Sequence, residues 1–121
     1  MTGSGLGGDP LQAVQDHLAA VNGRDVEAVL RGFEEDAVFT SPDGTVIGRR
    51  GIRALFGESF EAPVTATLQL RQAVVMGDPV ACELIERIHL GEQLHEIEVA
   101  GFYTVRDGGI ARVRLYRDGP A

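Results

Sequence analysis

The chain has 121 residues, a formal net charge of −7 and a single cysteine, Cys82. This length suggests one domain with room for a core. One cysteine excludes an intramolecular disulfide framework and a cysteine-based zinc finger, and it fits a reducing cytoplasm. The acidic balance argues against nucleic acid as a partner, and no apolar run approaches the roughly 20 residues that cross a membrane.

The opening "MTGSGLGGDP" has neither the basic nor the apolar region of a signal peptide. Its Gly and Ser content predicts a disordered tail over residues 1–9, ahead of one domain over 10–118. "GLGG" leads into no strand–helix unit, so it is not a phosphate loop.

The first half reads as helix. Leu11, Val14, Leu18 and Val21 fall on one helical face, with Pro10 in the first turn and "NGRD" as the break. Asp25 is placed to cap a second helix carrying Val26, Val29, Leu30 and Phe33 inward. "AVFTSPDGTVIG" reads as two short strands around a Pro42-Asp43-Gly44 turn. "RRGIRALFGESF" gives a third helix with Ile52, Leu55 and Phe56 inward. The second half reads as strands over about 64–76, 79–90, 93–105 and 110–118, separated by "MGDP", "GE" and "RDGG". Helices followed by a long meander form an α+β pattern: three N-terminal helices on a strongly curved antiparallel sheet, cone-shaped, with an internal pocket.

Register decides the character of that pocket. A two-residue turn at Gly91-Glu92 pairs Leu90 with Gln93. Val80, Cys82, Leu84, Glu86, Ile88, Ile97, Val99, Gly101, Tyr103 and Val105 then share one face. Glu83, Ile85, Arg87, His89, Glu96, Glu98 and Thr104 share the other. The apolar face belongs on the core, so Glu86 points in and Arg87 pairs with Glu96 outside. A turn one residue longer would bring Arg87 and His89 in instead. Arg106, Arg112, Arg114 and Arg117, interrupted by acids, read as a solvated strand face.

Inside this frame the candidate catalytic residues are His17 and Glu86. His17 lies on the apolar stripe of the first helix, either as a hydrogen-bonded core histidine or as a proton shuttle. An inward acid between Leu84 and Ile88 is costly unless protonated or paired, and burial raises the pKa of a carboxyl group toward that of a general acid or base. Ser41 and Tyr103 are candidate ligand-orienting groups, set against the simpler roles of turn residue and packing aromatic. Phe39, Phe56, Leu84, Ile88, Val99, Gly101, Val113 and Leu115 are the candidate apolar substrate contacts. His17, His89 and His95 have no metal-ligand spacing, and no cofactor motif is present.

"VQDHLAAVNGRD", "DAVFTSPDG", "GRRGIRALF" and "VAGFYTVRDGGIARVRLYRD", in that order, resemble the nuclear-transport-factor-2-like superfamily over about 10–118. That group includes ketosteroid isomerases, limonene epoxide hydrolases and SnoaL-like cyclases. The resemblance implies the cone fold, an apolar small-molecule ligand and pairing of two copies through the sheet. That pairing would use an outward face that keeps Ile85, beside a last strand in which arginines alternate with Val113 and Leu115. The catalytic groups of the isomerases correspond here to His17, Ser41 and Gly101, all changed. Those of the epoxide hydrolases correspond to Phe39, Ser41 and Leu115, with the Arg-x-Asp pair falling either on Arg87 and His89 or on Leu84 and Glu86. The expectation is acid–base chemistry of the isomerase, cyclase, dehydratase or epoxide-opening kind in an apolar pocket. The alternative is a non-catalytic binding or dimerisation module of the same fold.

Overall fold

The computed structural model describes residues 9–77 and 79–118. Three helices and six strands follow in chain order. They are α1 (Pro10–Asn22), α2 (Val26–Arg31), β1 (Phe33–Ser41), β2 (Gly44–Ile47), α3 (Gly48–Glu61), β3 (Thr65–Val75), β4 (Pro79–Leu90), β5 (Gln93–Arg106) and β6 (Gly109–Arg117). The helices pack on a curved, unclosed sheet of order β2-β1-β6-β5-β4-β3.

Helix boundaries follow local chemistry. Asp9 is the N-cap of α1, its carboxylate accepting from the Leu11 N–H at 2.9 Å, with Pro10 directly after it. Asp9, counted above with the tail, instead caps the helix; residues 1–8 lie outside the described residues. Asp25 caps α2 by accepting from Ala28 N–H at 3.1 Å. That helix is shorter than its apolar period suggests. It ends at Arg31 with Gly32 as C-cap, and Phe33 opens β1 instead of closing a helix. Phe33 stays buried because the chain turns back over the same core.

The sheet is mixed, which corrects the antiparallel expectation. β1 runs parallel to β6, pairing Phe39 with Val113 and Thr40 with Arg114. The cause is connectivity. The meander leaves β6 as a free edge, and β1 reaches that edge through a long crossover that includes α3, the kind of connection a parallel pair requires. The remaining neighbours are antiparallel. Register shifts between Leu70 and Gln72 and between Thr104 and Val105 interrupt the ladders, and such irregularities bend strands.

The β4–β5 register is the one a two-residue turn demands. Leu90 pairs with Gln93, Glu86 with Ile97 and Arg87 with Glu96. Gly91 adopts φ 62°, a conformation open to glycine at the first turn position. Val80, Leu84 and Tyr103 are consequently sealed against the helices with at most 1 % exposure. Arg87 lies outside, donating to Glu96 at 2.7 Å and to Gln69 at 2.6 Å. Asn22, read from sequence as a helix breaker, also ties α1 to the edge strand: its amide donates to Leu68 O and accepts from Leu68 N–H, both at 2.8 Å.

The two faces predict unequal mutational costs. Leu84→Ala, a core truncation, is expected to lose about 2–5 kcal/mol in denaturant unfolding. Arg87→Ala, which breaks a solvated ion pair, is expected to lose less than about 1 kcal/mol. The reverse ranking would mean that the polar face is the inner one.

Candidate functional site

A cavity of about 230 Å³ lies between the helices and the inner face of the sheet. This is below the roughly 300–1,000 Å³ of most ligand pockets, which favours a compact ligand. α1 contributes His17 and Val21, and α3 contributes Leu55, Phe56, Ser59 and Phe60. The sheet contributes Phe39 and Ser41 from β1, and Leu84, Val99, Tyr103 and Leu115 from the meander. Glu86, Asp43, Arg24 and Arg117 supply its charge.

The structure thus brings together His17, Ser41, Glu86 and Tyr103, along with Phe39, Phe56, Leu84, Val99 and Leu115. Three expected ligand contacts are placed elsewhere. Val113 is fully buried in the core. Ile88, one alternation beyond Glu86, sits partly exposed near the end of β4, outside the lining. Gly101 does not reach the cavity, but its missing side chain shapes the wall. A Cβ there would lie 2.8 Å from Tyr103 Cε1 and 3.0 Å from Leu115 Cδ2. Glycine lets both of those side chains fold across the strand.

Glu86 faces inward but not alone. Arg117 Nε donates to Glu86 Oε1 at 3.1 Å, while Nη1 of the same guanidinium lies 3.5 Å from Asp43 Oδ2. Arg117 is exposed, as expected of the arginine cluster, but it does not share the outward face of Arg112 and Arg114. β6 alternates Arg112 and Arg114 outward with Val113 and Leu115 inward, and Arg117 continues the inward parity opposite Val99. The strand alternation was the signal that could have found it. The Glu86 side chain is 13 % exposed, and a carboxylate so enclosed needs a partner of this kind. Asp43, by contrast, is largely in water, so its contact with Arg117 is weak.

His17 is set among aromatic rings. Its ring makes edge contacts with Phe33 and Phe56 at centroid separations of 5.2 and 6.0 Å and a tilted contact with Tyr103 at 5.9 Å. Burial lowers its pKa to about 4, so the imidazole is neutral near pH 7. Its Nδ1 is buried without a hydrogen-bond partner among the described residues. No hydrogen bond joins it to Glu86, whose partner is Arg117. Burial likewise raises the Tyr103 phenol, with the neighbouring Cys82 adding to the effect, and pushes the Cys82 thiol up to about 11. Tyr103 and Cys82 are therefore un-ionised. Among the described residues no group of three His, Cys, Asp or Glu side chains is placed to hold a metal ion.

Arg24, also unforeseen, adopts φ 56° in the α1–α2 turn. Its guanidinium donates to the carbonyl of Phe60 and lies 5.6 Å above that ring, joining the turn to the end of α3 beside the cavity.

The SnoaL-like domain profile matches residues 14–113. The chain belongs to this family. TerC co-crystallised with polyporic acid superposes with a TM-score of 0.80 at 23% identity, covering 90% of this chain and 91% of TerC. A limonene-epoxide-hydrolase-like enzyme of M. tuberculosis gives 0.80 at 23%, with coverages of 90% and 82%. A Catenulispora acidiphila protein with a ketosteroid isomerase-like fold, in complex with trimethylamine, gives 0.80 at 20%, with 87% and 84%. Identities this low establish the shared fold alone. No curated protein matches the chain by sequence. Among the described residues no helix is long and apolar enough to cross a membrane.

The pKa of His17 has a consequence for stability. Its folded value lies below the ordinary 6.5, so the unfolded chain binds the proton more readily. Stability is full above about pH 6.5 and falls as the pH drops toward 4. At pH 5 the loss assigned to this one group is on the order of 2 kcal/mol. In unfolding curves taken at pH 7 and pH 5, His17→Gln is expected to show a smaller pH-dependent loss than the parent. Equal losses would mean that His17 is not held neutral by burial.

Proposed function

We propose that the SnoaL-like cavity takes a compact apolar molecule bearing one or two oxygens and acts on it by acid–base chemistry. The observation that carries this reading is the Glu86–Arg117 ion pair set into a largely apolar lining. The same lining holds a neutral His17 whose Nδ1 lacks a partner. Glu86 is the proton acceptor. Arg117 orients it through their hydrogen bond, and it is the positive group available to an oxygen that gains charge. His17 and the Tyr103 phenol orient the ligand by hydrogen bonding. Ser41 lies on the same wall. Isomerisation, ring closure, dehydration and epoxide opening all use such a set. The relatives with epoxide hydrolase and isomerase-like descriptions make these the first classes to assay.

A binding module without catalysis is the second reading. It is favoured by the fact that Arg117 engages both acidic groups of the lining, Glu86 and Asp43. One experiment separates the two. A panel of apolar epoxides and unsaturated ketones would be incubated with the protein and followed by mass spectrometry, with binding measured in parallel. Glu86→Gln preserves shape and a hydrogen-bond acceptor, so binding and folding are expected to persist while turnover falls by about 100-fold or more. Undiminished turnover in that variant would remove Glu86 as the base. Binding of panel members without conversion by the parent protein would select the second reading.

We also propose that two copies associate through the outer face of the sheet. Phe102 and Tyr116 stand there 41 % and 50 % exposed, in edge contact at 6.1 Å, with the Arg114 guanidinium 5.9 Å above Tyr116. An exposed aromatic–arginine cluster of this kind is typical of interface centres. Sedimentation at high micromolar concentration is expected to give twice the 12.9 kDa chain mass, and Phe102→Asp to give the single-chain mass. A parent protein sedimenting at the single-chain mass would refute the association.

A further inference from the structure

A second concavity, of about 450 Å³, lies away from the cavity, where α2 meets the start of α3. It is lined by Arg31, Arg49, Arg50 and Arg53, with Glu27 and Leu30. All 11 basic residues of this chain are arginine, and four of them converge here although the net charge is −7. Nearest-neighbour chemistry accounts for two. Arg49 donates twice to Phe33 O, at 3.1 and 2.7 Å, which holds α3 against β1. Arg53 forms a two-bond pair with Glu27, at 2.6 and 3.1 Å. Arg31 and Arg50 make no hydrogen bond or close salt bridge among the described residues, and both are exposed; Arg31 acts on Glu27 only from a distance.

The placement runs against local helix energetics. Arg49 and Arg50 stand in the first turn of a 14-residue helix, the positive end of its dipole. That turn has no acidic residue, and its N-cap, Ile47, offers no side-chain hydrogen bond. Cations there repel both the helix terminus and one another. Arg49 is compensated by Phe33 O, but Arg50 breaks this local rule with no contact of its own, and such breaks are expected at functional sites. The missing partner is an anion carrying more than one charge, because a single carboxylate, that of Glu27, faces four guanidinium groups. A guanidinium fork matches phosphate oxygens two at a time, and a phosphate group carries about −1.5 to −2 charges at pH 7.

We propose that this groove is a second binding site, for a phosphate group either free or borne by a small organic molecule. Arg31 and Arg50 are its primary ligands, and Arg53 is recruited from Glu27 when the anion enters. The site is independent of the apolar cavity and of the chemistry proposed there.

Isothermal titration of the full chain, at constant ionic strength in chloride, would use inorganic phosphate, phenyl phosphate and acetate as probes. Saturable binding of the phosphates, and none of acetate, is expected. The doubly substituted R31A/R50A protein is expected to bind about tenfold more weakly or worse, with no marked loss of melting temperature because neither side chain makes a hydrogen bond or close ion pair. Glu27→Gln, which frees Arg53, is expected to bind more tightly. Equal affinity for the two phosphates would identify the free anion as sufficient, and tighter binding of phenyl phosphate would identify an organic phosphate. Absence of saturable phosphate binding, acetate binding as tightly as phosphate, or undiminished binding in R31A/R50A would each overturn the proposal.

Discussion

A two-residue turn at Gly91-Glu92 determines which side chains of the two long central strands meet the helices. Strand alternation has a period of two, so one additional turn residue would exchange every inward and outward group along β4 relative to β5. Because Leu90 pairs with Gln93, Leu84, Val99 and Tyr103 close over the core and Glu86 enters the cavity wall, while Arg87 remains in water. The aromatic layer of Phe33, Phe39 and Phe56 then has an apolar surface to pack on. The cavity is what remains where the curved sheet diverges from α1 and α3.

The same register creates an electrostatic demand. A carboxylate largely removed from water requires a compensating charge, and the last inward position of β6 supplies it as Arg117. The pair joins β4 to β6 across the intervening strand β5, so the charged part of the lining also braces the sheet. Nothing comparable reaches His17, which aromatic rings surround and burial keeps uncharged. The cavity lining thus combines an ion pair with a neutral imidazole and a good deal of hydrocarbon. An amphiphilic compact molecule suits such a lining better than a uniformly polar or a uniformly greasy one.

Much of this was legible in the sequence, for identifiable reasons. Periodicity of 3.6 and of 2 located the helices and strands, and the glycine-led turn located the β4–β5 register, from which the inward Glu86 followed. The failures also have causes. Phe33 fits the helical period of α2, but a glycine cap intervenes, and a helix and a strand can bury the same side chain. The parallel β1–β6 pairing depends on which edge the finished meander leaves open, which no local pattern records. Arg117 looks by composition like Arg112 and Arg114, although the alternation of Val113 and Leu115 assigns it to the inward face of the strand. The partnership of Asn22 with Leu68, and of Arg24 with Phe60, joins residues far apart in sequence and becomes visible only after folding. Gly101 was counted as a ligand contact, whereas its function in the wall is to be absent.

The central claim is that a ligand occupies the cavity between His17 and the Glu86–Arg117 pair. The most direct measurement is a crystal structure of the protein soaked with a compact apolar molecule that carries a carbonyl or epoxide oxygen. The account predicts density for the molecule inside the cavity, its hydrocarbon against Phe56 and Leu84, and an oxygen within hydrogen-bond reach of Arg117, Glu86 or His17. A cavity closed by its own side chains in the presence of the molecule, or a molecule bound without contact to any of these three residues, would contradict it.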